Sequence, residues 1–117
     1  MEKTLTIDGR QVTFKSTAGT PKRYKAQFGN DYFADMLRLY SLSALQNLDP
    51  ENMDYEAIKN LDLEVFYNML WAMAKTYDST IPDPQTWLDE FDEFPIFEII
   101  PEVQEMITKN LQTSKKK

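Results

Sequence analysis

The sequence predicts a mainly α protein, with an N-terminal β-hairpin over about residues 3–15 ahead of a bundle of about five or six helices. Three observations predict it. The run LDLEVFYNMLWAMAKTYD, about 61–78, repeats large apolar side chains at helical steps over most of a helix circumference. The stretch LTIDGRQVTF sets an Asp-Gly pair between two alternating arms. Asp83-Pro84 joins a capping residue to a proline suited to the first helical position.

In chain order, KTLTIDGRQVTFKS reads as the hairpin. Leu5 and Ile7 alternate on one arm, Val12 and Phe14 on the other, and Asp8-Gly9 supplies a type I′ turn. A lone hairpin is marginal in water, so its apolar face is expected to cover helices or to pair with another chain's strand. STAGTP is a linker. Thr20 is expected to cap a short helix with Pro21 in its first position, PKRYKAQF, stopped by Gly29. A second helix starts at Asn30 or Asp31 and carries Phe33, Met36, Leu37, Tyr40 and Ala44 on one face. The two helices then form a corner around Gly29-Asn30. Asp49-Pro50-Glu51-Asn52 is a loop by composition, and MDYEAIKN forms one or two helical turns.

The central helix carries two stripes. Phe66, Met69, Leu70, Met73 and Tyr77 make one; Leu63, Tyr67, Trp71 and Ala74 make the other. Asp62 and Glu64 suit the positive end of its dipole and Lys75 the negative end. After Asp83-Pro84 comes a short helix bearing Trp87, Leu88 and Phe91. In the last helical region, FPIFEIIPEVQEMITKNL, Pro101 removes a hydrogen bond and predicts a kink or two helices. Beyond it Val103, Met106, Ile107 and Leu111 continue an apolar stripe. The chain thus reads as a single domain, 1–114, with hairpin 1–16 and helices 20–112, and 115–117 as a disordered basic tail.

Composition narrows the function. The 117 residues are 42% hydrophobic and 13% aromatic, enough for one core. With no His and no Cys, imidazole bases, thiol nucleophiles, disulfides and the common zinc sites are excluded. The cluster Asp89, Glu90, Asp92 and Glu93 lacks EF-hand spacing and reads as a solvated acidic face. With three glycines there is no phosphate loop, and no GxSxG elbow occurs. The expectation is a non-enzyme without cofactor or metal. No apolar run approaches the roughly 20 residues that span a bilayer, and MEKTLTIDGR lacks the apolar core of a signal peptide. A soluble, intracellular protein is expected.

Charge is unevenly spread. Residues 1–40 balance to +3, residues 41–114 to −12, and Lys115–Lys117 return +3. An acidic body disfavours nucleic acid. The split either supports head-to-tail contact between copies or is a plain solvated acidic surface.

Trp71, Met73, Trp87, Phe91, Phe94, Ile96 and Phe97 crowd the C-terminal half. They are core residues, or some exceed what a small core holds and form a patch for a partner helix or for self-association. On the patch reading, Trp71, Met73, Trp87, Phe91, Phe94 and Phe97 are the candidate protein-binding residues.

The run YNMLWAMAKTYDSTIPDPQTWLDEFDEFPIFEIIPEVQEMI resembles the tail assembly chaperones of long-tailed phages and prophages of Gram-positive bacteria. Its marks are the LWAMAK helix, the polar turn ending IPDP, WLDEF, and the closing IIPEVQEMI. LTIDGRQVTFK and TPKRYKAQFGNDYFADM extend the resemblance over nearly the whole chain. It implies a role similar to that of the phage lambda G protein. Such proteins coat the tape measure protein in the host cytoplasm, keep it soluble, and are displaced as tail tube protein polymerises; they are not expected in the mature virion. It also implies self-association, which many copies along one filament would arrange head to tail and helically. In many such phages a −1 frameshift adds a second domain that recruits the tube protein, and Lys115–Lys117 implies the A-rich codons of a slippery site. The alternatives are a small phage adaptor or regulatory protein with one partner, and a minor virion tail-completion protein.

Overall fold

The computed structural model describes residues 1–40, 63–103 and 106. It shows an N-terminal hairpin followed by helices packed around a central one. Strands β1 (Glu2–Ile7) and β2 (Arg10–Lys15) pair antiparallel, with Leu5 opposite Val12 and Ile7 opposite Arg10. Asp8 and Gly9 both take positive φ, 52° and 75°, as a type I′ turn requires. Alternation along the strands turns Leu5, Ile7, Val12 and Phe14 to one face, where Ile7, Val12 and Phe14 are buried. The other face is polar, and a Thr4–Thr13 hydroxyl pair at 2.7 Å joins the strands across it. The apolar face covers helices, the first of the two outcomes the sequence left open.

Helix α1 (Gly19–Phe28) starts earlier than the sequence predicts, and Thr20 is not its cap. Thr20 is buried; its hydroxyl accepts from the Thr17 N–H at 3.1 Å and pairs with the Thr76 hydroxyl at 2.9 Å. Thr17 meets the helix end instead, its hydroxyl accepting from the Gly19 N–H and its carbonyl from the Thr20 N–H. The far end is as expected. Gly29 adopts φ 80° and donates its N–H to the Lys25 carbonyl, a left-handed cap that strains any side-chain-bearing residue.

Helix α2 (Tyr32–Tyr40) is capped by Asp31, whose carboxylate accepts from the Ala34 N–H at 3.0 Å. The buried face differs from the predicted one. Tyr32 and Met36 are buried, Phe33 is half-buried, and Leu37 is 47% exposed. The reason lies in α1: Tyr24 packs edge-on against Tyr32 at 5.2 Å and donates its hydroxyl to Asp35 at 2.8 Å. Those two contacts set Tyr32 and Asp35, and not Leu37, against Tyr24. The Tyr40 side chain, Ala44, the Asp49–Asn52 loop, the turns at 53–60 and the capping role of Asp62 lie outside the described residues.

Helix α3 (Leu63–Tyr77) is the central helix. Val65, Phe66, Met69, Leu70, Trp71, Ala72, Met73 and Ala74 are all buried, so nearly every side of its middle is covered. β2, α1 and α4 supply the cover. The predicted stripes are too narrow at the centre and too long at the end: Val65 and Ala72 belong to the core, whereas Tyr77 is 52% exposed. Helix α4 (Pro84–Leu88) follows the predicted cap, with Pro84 first and the Asp83 carboxylate accepting from Thr86. Phe91 lies beyond its end rather than on it.

Helix α5 (96–103) begins from the Pro95 carbonyl, which accepts from the Glu98 and Ile99 N–H groups. Pro101 does not divide it between 96 and 103. Pro101 is exposed while Ile99, Ile100 and Val103 are buried, so the proline ring sits on the solvent side of the helix. Burial of its neighbours outweighs one lost bond. Met106 is buried as expected; Ile107, Leu111 and the 115–117 tail lie outside the described residues. Among the described residues no helix is long and apolar enough to cross a membrane.

Candidate functional site

The candidate site is built where α3, α4 and the linker to α5 meet. The Asp83 cap fixes α4, and α4 sets Trp87 pointing into the core at 3% exposure. The linker then folds back, stacking Phe91 and Phe94 on Trp87 and on each other edge-on, with ring centroids 5.3–5.7 Å apart. Tyr67 of α3 closes the cluster from below, 5.7 Å from Phe94. Edge-to-face rings gain about 0.5–1.5 kcal/mol each beyond burial, so this trio holds the linker in shape.

The six predicted contact residues separate. Trp87, Phe91 and Phe94 come together. Trp71 lies apart, edge-on to Phe28 at 5.6 Å, its indole N–H donating to the Pro82 carbonyl at 2.8 Å. Met73 is fully enclosed. Phe97 is half-buried on α5. As an exposed patch, the expectation is therefore corrected for Trp71, Met73, Trp87 and Phe91, whose side chains belong to the core. The core has room for them because the hairpin and α1 both pack onto α3. Phe94 and Phe97 keep accessible surface, as do Tyr67 and Leu88.

A cleft of about 330 Å³ opens beside this cluster, with Arg10, Val12, Tyr77, Ile81, Trp87 and Phe91 in its wall. Its loop side is tightly tied. Lys75 donates to the Ser79 and Ile81 carbonyls. Asp78 accepts from both the hydroxyl and the N–H of Thr80, and these bonds hold its carboxyl below the ordinary aspartate range. The same cause lowers Asp83, which accepts from the Thr86 hydroxyl and N–H.

Sequence reasoning missed two residues that reach this place from the hairpin. Arg10 donates to the carbonyl and carboxylate of Glu90, at 3.3 and 3.2 Å, and its guanidinium lies 4.8 Å from the Phe91 ring centre. Asp8 accepts from the Asp92 N–H at 2.9 Å. The Asp-Gly turn was readable, but nothing local pairs residue 10 with residue 90.

The acidic cluster resolves into separate contacts. Glu90 pairs with Arg10, Asp89 accepts from Gln85, and all four carboxylates belong to exposed residues. Among the described residues no group of three His, Cys, Asp or Glu side chains is arranged to hold a metal. The site therefore offers apolar contact surface framed by charge. No protein-family model, curated protein or solved structure matches the chain.

Proposed function

We propose that this chain is a tail assembly chaperone of a long-tailed phage. It binds the apolar, helical tape measure protein in the host cytoplasm and yields it to tail tube protein as the tube polymerises. The observation that carries the reading is the set of partly buried apolar side chains Tyr67, Leu88, Phe94 and Phe97 at the margin of the core. These side chains pack on the core yet keep surface, and they fall inside the run of sequence that resembles the family. Partly buried side chains suit transient binding, because they give an apolar helix a place to lie without the deep burial that would make release slow. Exposed Asp89, Asp92, Glu93 and Glu98 beside them keep a loaded chain in solution.

On this reading copies associate along one tape measure helix, head to tail, with the basic N-terminal third of one copy against the acidic body of the next. The chain leaves no trace in the finished virion. A longer −1 frame product, arising at the codons of Lys115–Lys117, carries the tube-binding domain.

The test is co-expression with the tape measure protein of the same phage, comparing wild type with Leu88→Gln combined with Phe97→Gln. Wild type is expected to bring tape measure into the soluble fraction and to co-purify with it, whereas the folded double variant loses both. Insoluble tape measure in the presence of wild type would refute the function. Undiminished co-purification with the variant would refute the surface. Mass spectrometry of infected cells for an extended product sharing this N-terminus tests the second form.

A further inference from the structure

We propose that the Arg10 and Asp8 side chains at the tip of the hairpin are a releasable latch over the Trp87–Phe91 face. The hairpin is fastened in two different ways. Along its inner face Val12, Phe14 and, beside the turn, Ile7 are buried, and they hold the strand backbone to the helices by the hydrophobic effect. The side chains reaching out from the turn, Asp8 and Arg10, are fastened instead by polar contacts open to water. Arg10 grips the carbonyl and carboxylate of Glu90, with side chains 48% and 40% exposed, and the Asp8 carboxylate takes the Asp92 N–H.

What lies beneath the tip is the opposite. Phe91 is 8% exposed, its ring 4.8 Å from the Arg10 guanidinium, and it stands edge-on against Trp87. Exposed ion pairs contribute little and are screened by salt, whereas burial of the root is not. Releasing the Arg10 and Asp8 side chains, with Ile7 still seated, is therefore the least costly way to uncover this face. The linker 91–95 agrees with this. It is neither helix nor strand, and the Asp92 N–H depends on Asp8 for its bond. Arg10 also stands in the wall of the 330 Å³ cleft, so its departure widens a space that Trp87 and Phe91 already border. Taken with the function proposed above, on which this use of the latch rests, release of these side chains enlarges the apolar surface offered to a tape measure helix.

The experiment uses the full chain without a partner, so its failure leaves the chaperone reading to its own test. In a Trp71→Phe background Trp87 is the one tryptophan. Asp8→Gly removes the carboxylate while suiting the positive φ of the turn, and Arg10→Ala removes the guanidinium. Together they are expected to raise acrylamide quenching of Trp87 about threefold, and hydrogen exchange across 89–95 about tenfold, with exchange in α3 unchanged. Wild type is expected to move part of the way when salt rises from about 50 mM to about 1 M. Quenching and exchange equal to wild type would overturn the latch. So would a rise in α3 exchange in step with 89–95, because the latch would then open only with the whole fold.

Discussion

Replacing Trp87 with alanine separates a core residue from a docking residue, and the two readings differ by several kcal/mol. Trp87 is 3% exposed and stands edge-on to Phe91 at 5.5 Å and to Phe94 at 5.7 Å. Truncating a buried tryptophan costs about 3–5 kcal/mol, from lost transfer energy and the cavity left behind. A domain is stable by about 5–15 kcal/mol in all, so the loss is a large fraction. At about 4 °C per kcal/mol for a chain near this size, Tm should fall by about 12–20 °C. An exposed contact residue would change stability by no more than about 0.5 kcal/mol, or roughly 2 °C. The assay is far-UV circular dichroism during thermal and urea unfolding, which does not depend on the indole removed. The urea midpoint should fall while the m-value stays constant. A Tm within about 3 °C of wild type, with a native spectrum, would refute the placement of Trp87 in the core. The result governs experimental design too, since lost binding in Trp87→Ala would report lost folding; Leu88 and Phe97, half-buried, are the better probes.

Thr20→Val keeps the shape but removes the hydroxyl that accepts from the Thr17 N–H and meets Thr76. A loss of about 1–3 kcal/mol by urea unfolding is expected, and no loss would mean those bonds do not join α1 to α3. Gly9→Ala places a side chain at φ 75°, with open space around it, so only backbone strain acts. It should cost about 1–2 kcal/mol by the same assay and leave the α3 core signals unmoved. Asp83 should titrate by NMR below the ordinary aspartate range, and Thr86→Val should return it upward. Because its folded pKa is depressed, the stability it adds is present above the unfolded pKa and is lost as pH falls through the folded one. An Asp83 titration unchanged by Thr86→Val would exclude the hydroxyl as the cause.

Much of the architecture was legible because it is set by neighbours in sequence. The Asp8-Gly9 turn fixes the hairpin register by backbone geometry alone, and Asp83-Pro84 and Gly29 act within one helical turn of themselves. The central helix was legible from its period, which any continuous apolar surface along 63–77 must show. The faces of weaker helices were not. Leu37 and Tyr77 sit at apolar positions of their stripes, yet both are exposed, because no partner among the described residues reaches those sides. Thr20 reads locally as a cap but lies at zero exposure against Thr76, 56 residues away.

The sequence by itself determined which elements form and where most of them begin and end, since hydrogen-bond spacing, turn conformation and capping are satisfied over a few residues. It also placed the aromatic side chains close together in the C-terminal half. Only the tertiary structure decided that Trp71, Met73, Trp87 and Phe91 lie inside, while Phe94 and Phe97 keep surface. It decided too that Arg10 of the hairpin tip lies over Phe91 and binds Glu90, 80 residues distant from it. Burial is a property of what packs from every side, and for this cluster the covering atoms come from the opposite end of the chain.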